Sequence, residues 1–246
     1  MASAVRLRRA RGRADAQSTL LEGPHLLEAA AAVGALVGPV FALQEDHTTA
    51  SLAAGAGYEL VVVTQQVLDR LAPTRHPRGP VGVVRIPSSV PVRDRNVVVL
   101  WGVGDPGNAG TLIRTAAAFG FGVTFGPGTV DPWSPKVLRA GAGAHFSIPI
   151  ESGLSDLADL RRRGFDTIAT VVAGGTSPSE LGGTGPWAVI VGDEAGGLPD
   201  DLVAVCDQRA TIRMSAGQES LNASVAGSIM MYELAGRSGL HGPLHD

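Results

Sequence analysis

The stretch that most constrains this chain runs from Ala210 to Leu234, ATIRMSAGQESLNASVAGSIMMYEL. A strand is expected to run through Gln208–Met214, followed by a polar, glycine-containing loop over Ser215–Glu219. A helix then begins near Ser220 or Asn222, either of which is a good N-cap because its side-chain oxygen can accept from the first free amides. Leu221, Val225, Ile229 and Met230 recur at helical spacing. Ala223, Ala226 and Gly227 leave one face nearly flat, so another backbone can come close; this Ala223/Gly227 face and the Ala-rich helix within 107–120 are expected in or near a two-fold interface. Glu219, Ser220 and Asn222 sit on the seam between loop and core. They read either as a capping box with a packed helix behind it or as a functional cluster.

Two further stretches bear on that choice. One is Gly107–Gly120, GNAGTLIRTAAAFG; the other is Val189–Pro199, VIVGDEAGGLP. In this order and at these distances, the three resemble the three motifs of the SpoU (TrmH-type) RNA 2'-O-ribose methyltransferases of the SPOUT superfamily. The resemblance covers roughly residues 96–236. It implies an S-adenosylmethionine-dependent enzyme, a homodimer, and a C-terminal trefoil knot, an exception to the rule that chains do not thread loops.

Bulk properties narrow the partners. The chain has 246 residues, 44% hydrophobic and 17% charged, enough for sizeable cores and too little charge for a disordered chain. A net charge of −3 argues against nonspecific coating of nucleic acid but leaves room for a local basic patch. Cys206 is alone, so no disulfide framework exists, and the six histidines lack zinc-ligand spacing, so no metal is expected. No apolar run is long enough to span a bilayer, and the Arg-rich N-terminus lacks the apolar core of a signal peptide. A soluble cytoplasmic protein is expected.

Along the chain, residues 1–16 carry Arg6, Arg8, Arg9, Arg11 and Arg13. They read either as a frayed, solvated tail or as an arm that follows a phosphate backbone. Residues 17–88 alternate short strands and helices: helix over 23–33, strand over 40–43, helix over 47–54, strand over 59–63, helix over 64–71, strand over 81–85. That is a small α/β unit. Its opening, LLEGPHLLE (residues 20–28), resembles the family's N-terminal substrate-binding domain, itself similar to ribosomal protein L30e. Residues 89–95 read as a linker. The region 96–246 opens with the apolar run NVVVLW (96–101), typical of a strand buried on both faces. Strands over 122–125, 146–150, 166–172 and 187–191, with helices over 134–140 and 154–163, give an α/β, mostly parallel sheet with helices on both faces.

One competing signal is Gly102-Val-Gly-Asp-Pro-Gly107, which matches the G-x-G-x-x-G dinucleotide fingerprint between a strand and a helix. The acid that should end the next strand is missing: that strand runs into Gly126-Pro127. Pro106 would also stiffen the turn.

Within Gly107–Gly120, Asn108 is expected to cap the helix. Arg114 lies at the border of its polar face, flanked by the small residues Thr111, Thr115 and Ala118. It is either a solvated surface arginine or a planar fork for a phosphate or ribose oxygen. The resemblance makes Arg114 the catalytic arginine and Asn108 its companion, with Glu194, Ser220 and Asn222 completing the catalytic set. It also assigns Gly192, Ile212, Met214, Leu221 and Ala223 to the cofactor, and Asp193 and Ala195 stand where other members often carry Asn and Gly. Arg9, Arg11, Arg13, Lys136 and Arg139 are the candidate RNA contacts.

The reading is therefore an S-adenosylmethionine-dependent RNA 2'-O-methyltransferase acting on structured RNA, 23S ribosomal RNA first and transfer RNA second. The alternatives are a noncatalytic RNA-binding member of the fold and an NAD-dependent oxidoreductase.

Overall fold

The computed structural model of the chain describes residues 2–46, 49, 57–72, 74, 77 and 79–237. The chain divides into two compact units, residues 1–88 with 131–146, and residues 89–130 with 147–246. The helix expected over 47–54 lies almost wholly outside the described residues.

The first unit is built on a four-stranded sheet of β1 (Ser18–Glu22), β2 (Leu36–Ala42), β3 (Leu60–Val62) and β4 (Val81–Arg85), ordered β1-β4-β2-β3. β4 is antiparallel to β1 and β2, and β2 is parallel to β3. Helices α1 (Ala2–Arg6), α2 (Ala10–Ala16), α3 (Pro24–Ala32) and α4 (Gln65–Leu71) accompany it. Residues 2–16 form no free arm. Ala4 and Leu7 pack into one core with Leu20, Phe41, Leu68, Leu71 and Val81, because the apolar positions between the arginines share one helical side.

Arg13 is the arginine that faces inward, 5% exposed. Its Nε and Nη2 donate to Asp131 Oδ2 at 3.0 and 2.5 Å, and its Nη1 donates to the carbonyls of Leu7 and Arg8. Asp131 opens the segment 131–146, which carries helix α5 (Pro135–Ala140) and packs within the first unit although it was expected with the second. Thr19 Oγ1 donates to the Trp133 carbonyl at 2.9 Å. His145, also in this segment, has Nε2 3.0 Å from the Pro132 carbonyl, while its buried Nδ1 has no partner among the described residues. Burial lowers its pKa to about 4, the Pro132 hydrogen bond opposing the fall.

The second unit is a six-stranded, all-parallel sheet, ordered β10-β8-β9-β5-β6-β7. Its strands are β5 (Val97–Leu100), β6 (Gly122–Phe125), β7 (Ile150–Ser152), β8 (Asp166–Thr170), β9 (Trp187–Val191) and β10 (Gln208–Ala210). Every residue of β5, β6 and β9 is buried, as their continuous apolar sequence requires of strands covered on both faces. One face packs Val97, Val99, Ala188 and Ile190 against Leu157 and Leu160 of α7 (Leu157–Arg162) and against Phe165. The opposite face carries α6 (Pro106–Ala118) and α9 (Ala223–Ala235), which pack on each other, with α9 also on β9. A short α8 (Asp200–Val205) precedes β10.

Three local expectations change. The strand expected over 146–150 is β7 at Ile150–Ser152, with a 3₁₀ turn over Ala144–Phe146. The strand expected to reach Met214 ends at Ala210. Val92, inside the expected linker, is buried and donates its N–H to Glu151 Oε2, which Arg163 also holds at 2.8 Å. At Gly227 the flat face of α9 meets the chain itself: a Cβ there would lie 2.5 Å from Leu112 Cδ2 and 3.0 Å from Val191 Cγ2. Gly227 thus serves the packing of α9 on α6 and β9.

Candidate active site

A cleft of about 280 Å³ opens where β8, β9 and β10 end, after Thr170, Val191 and Ala210. The C-terminal edge of a parallel sheet is where such folds bind ligands, because the loops there diverge and leave a crevice. Three segments close it: the loop 192–197, the extended stretch after β10, and the first turn of α9.

The loop 192–197 is shaped by backbone approach. A Cβ on Gly192 would meet the Gly197 carbonyl carbon at 2.4 Å and the Leu198 nitrogen at 2.7 Å, so no other residue fits without moving main chain. Asp193 and Gly197 exchange backbone hydrogen bonds at 3.2 and 3.0 Å, and Gly197 takes the left-handed φ of +66° that closes the turn. Gly192, Ile212, Met214, Leu221 and Ala223 all line the cleft, as do Ser220 and Glu194. Thr170, Val171 and Val172 line it too, and no motif marked them. Their only signal is their place at the end of a strand that neighbours both β9 and β10.

Asn222 is the N-cap of α9. Its Oδ1 accepts from Ser224 N at 2.9 Å, Ser224 Oγ at 2.7 Å and Val225 N at 3.3 Å. With the carbonyl oxygen committed, the amide Nδ2 is the group left to offer, so Asn222 can act only as a donor. Asn108 is not a cap. Asp105 caps α6 by accepting from Asn108 N at 2.8 Å, with Pro106 in the first turn. This frees the Asn108 side chain, whose Nδ2 donates to Glu194 Oε1. It also places a carboxylate at the helix N-terminus, which disfavours a pyrophosphate at the Gly102–Gly107 loop.

The charged groups lining the cleft are Asp193 and Glu194; among the described residues no Lys, Arg or His side chain does so. Asp193 Oδ2 accepts from the backbone amide of Ala195 at 3.4 Å within the loop. Among the described residues, no group of three or more His, Cys, Asp or Glu is placed to hold a metal.

The family model of the SpoU rRNA Methylase family matches residues 95–232. The chain belongs to that family. It is an RNA methyltransferase, and the family uses S-adenosylmethionine. Residues 2–82 match a second model, the MRM3-like substrate binding domain. A similar curated protein is the 23S rRNA (guanosine(2553)-2'-O)-methyltransferase RlmP of Bacillus subtilis (strain 168), 30% identical over 227 residues, which are 91% of each chain. Among solved structures, a TrmH-family RNA methyltransferase from Porphyromonas gingivalis aligns with a TM-score of 0.83 at 28% identity, covering 95% of both chains. An AdoMet-bound rRNA methyltransferase from Sinorhizobium meliloti aligns with a TM-score of 0.82 at 27% identity, covering 98% of this chain and 95% of that one.

Not every residue expected in a SpoU site meets at the cleft. Arg114 is exposed on the outer side of α6 and does not line it. Arg9, Arg11, Lys136 and Arg139 are exposed on the first unit. Arg11 lies 3.9 Å from Asp15, a solvated pair that leaves its charge available. Arg13 is removed from the RNA contacts, since its guanidinium is enclosed against Asp131.

Proposed function

We propose that this SpoU enzyme transfers a methyl group from S-adenosylmethionine to the 2'-oxygen of a ribose in ribosomal RNA, and that the cleft after β8, β9 and β10 is its cofactor site. The observation that carries the reading is the convergence there of two motif loops, with the third motif joined through the Asn108–Glu194 hydrogen bond.

The cleft fits the cofactor chemically. Ile212, Met214 and Leu221 offer an apolar bed for an adenine, while Asp193 and Glu194 suit the positive charge that the cofactor carries on sulfur. When bound, S-adenosylmethionine supplies an electrophilic methyl group on sulfur. The Ser220 hydroxyl, which lines the cleft, and the Asn222 amide at the head of α9 would orient the reacting groups by hydrogen bonds. Arg114 steadies the ribose oxyanion and its adjacent phosphate with a planar, permanently charged fork. A guanidinium stays protonated in proteins, so it lowers the cost of ionising the 2'-hydroxyl without taking the proton, which leaves to an RNA phosphate oxygen or to water.

The first unit would hold the RNA. Arg9, Arg11, Lys136 and Arg139 give it an exposed basic surface despite the net negative chain. A homodimer would form on the outer face of α6 and α9, where Tyr232 is 65% exposed and Val225 45% exposed. Tyr232 meets Phe119 edge to face at 5.8 Å, and Arg114 is exposed on α6. The enzyme would work in the cytoplasm. Mapping 2'-O-methylated riboses in RNA from a strain lacking the gene tests the reading. The expected result is one ribosomal RNA site lost, restored by the wild-type gene; an unchanged ribosomal RNA map with a transfer RNA site lost would move the substrate to transfer RNA.

A further inference from the structure

The charge lining the cleft is one-sided. Asp193 and Glu194 contribute two carboxylates, and among the described residues no basic side chain lines the cleft to offset them. The two carboxylates have different duties. Glu194 accepts from Asn108 Nδ2 and thereby joins the loop to α6. Asp193 turns back over its own loop and accepts from Ala195 N at 3.4 Å, so its side chain ties no distant element to the site.

Methyl transfer changes the cofactor's charge at one atom. S-adenosylmethionine carries a sulfonium; S-adenosylhomocysteine, the product, carries a neutral thioether. The amino-acid end and the adenosine are the same in both. A charged group that distinguishes the two therefore acts on the charge at sulfur. Both carboxylates line the cleft, and a charge acts over a Debye length, about 8 Å at physiological ionic strength, before salt screens it.

We infer that Asp193 is a specificity-determining residue that makes the cleft favour the cationic methyl donor over the neutral product. This rests on the assignment of the cleft to the cofactor made above. Its consequence is functional: once the methyl has left, the electrostatic hold on the cofactor falls, and the product gives way to fresh donor. The contribution of one solvent-exposed carboxylate is modest, about two- to five-fold in affinity.

The test is calorimetric binding to the full-length protein of three ligands: S-adenosylmethionine, S-adenosylhomocysteine, and sinefungin, which bears an ammonium where the donor has its sulfonium. They are compared for the wild type, Asp193→Asn, Asp193→Glu, and Asp201→Asn as a control on exposed α8. Asp193→Asn should weaken the donor and sinefungin by about two- to five-fold and leave the homocysteine product unchanged. Asp193→Glu should keep the preference, and Asp201→Asn should change nothing. In the wild type, high salt should erode the donor's advantage while product affinity stays flat. If Asp193→Asn weakens all three ligands equally, or none, the inference is overturned while the cleft keeps its assignment. If none of the three binds the wild type, the assignment of the cleft itself fails.

Discussion

Asn108 Nδ2 donates to Glu194 Oε1 across 86 residues of sequence, tying the first turn of α6 to the loop that follows β9. The bond exists because Asp105, and not Asn108, caps the helix. It makes two motifs one mechanical piece. Asn108→Ala and Glu194→Ala should each weaken cofactor binding by roughly five-fold, about the net worth of one ordinary hydrogen bond. The double variant should be no worse than the poorer single one, because both remove the same contact. Additive losses by calorimetry would mean that the two side chains act separately.

Two glycines in the second unit should fail in different ways. Gly192→Ala drives a Cβ into the Gly197 main chain, which cannot step aside as a side chain can. The 192–197 loop must reshape, so cofactor affinity should fall more than ten-fold with little change in the unfolding midpoint. Gly227→Leu instead overfills the contact with Leu112 and Val191. It should cost roughly 1–3 kcal/mol in denaturant unfolding. Sedimentation should show the association constant of any dimer unchanged, since the crowding lies within one chain.

The Arg13–Asp131 pair predicts an asymmetry. Asp131→Ala leaves an enclosed guanidinium with only the Leu7 and Arg8 carbonyls, and should cost about 3 kcal/mol. Arg13→Ala leaves a carboxylate that is partly exposed and can be hydrated, and should cost less. Urea unfolding of the first unit would order the two. This pair also decides how the basic surface is probed. Deleting residues 1–13 would remove Leu7 and Arg13 from a packed core, so a loss of RNA affinity would report damage. Arg9→Ala and Arg11→Ala are the informative variants, each expected to lower RNA affinity and shrink the salt slope by about one, with cofactor affinity untouched.

His145 gives a pH dependence with a definite sign. Its folded pKa is about 4 and its ordinary value 6.5, so the unfolded chain takes up a proton first as pH falls. The stabilisation is complete above 6.5 and is lost as pH drops toward 4. Between pH 7 and pH 5 the first unit should lose about 2 kcal/mol from this residue. His145→Gln, which keeps a donor for the Pro132 carbonyl but does not titrate, should lose that much less over the same interval. Equal losses in both proteins would assign the acid sensitivity to other groups.

Much of this molecule was legible in sequence where the signal is local. The apolar runs at Val97–Leu100 and Trp187–Val191 announced buried parallel strands, and the five expected cofactor residues all reached one cleft. What was not legible depends on partners remote in sequence. Nothing near Arg13 says that its charge is matched by Asp131. Thr170, Val171 and Val172 read as ordinary strand residues until the sheet order places β8 between β9 and β10. The misread cap was recoverable: Pro106 favours the first helical turn, which puts Asp105 at the cap and Asn108 inside the helix. The small face of α9 carried an ambiguous signal, because a stripe of Ala and Gly permits close approach without saying whether the neighbour is the same chain or another.

Arg114 carries the mechanism and stands apart from the cleft, so it allows a clean separation of binding from chemistry. Arg114→Ala removes both charge and planar fork; Arg114→Lys keeps the charge and loses the fork. Neither should alter S-adenosylmethionine affinity by calorimetry, because Arg114 does not line the cofactor cleft. Loss of one oxyanion-stabilising donor costs roughly 10²–10³ in rate, so the alanine variant should lose at least that much in single-turnover methylation of a cognate RNA, with lysine recovering only part. The pH profile tests the role further. Wild-type rate should rise with pH as the 2'-hydroxyl becomes easier to ionise, and alkaline conditions should partly restore the alanine variant, since hydroxide then offsets the missing stabilisation. A variant that is equally slow at every pH would point to misplaced RNA instead of lost oxyanion stabilisation. Near-wild-type single-turnover rates for Arg114→Ala would make Arg114 an ordinary surface residue of α6 and remove it from the catalytic set.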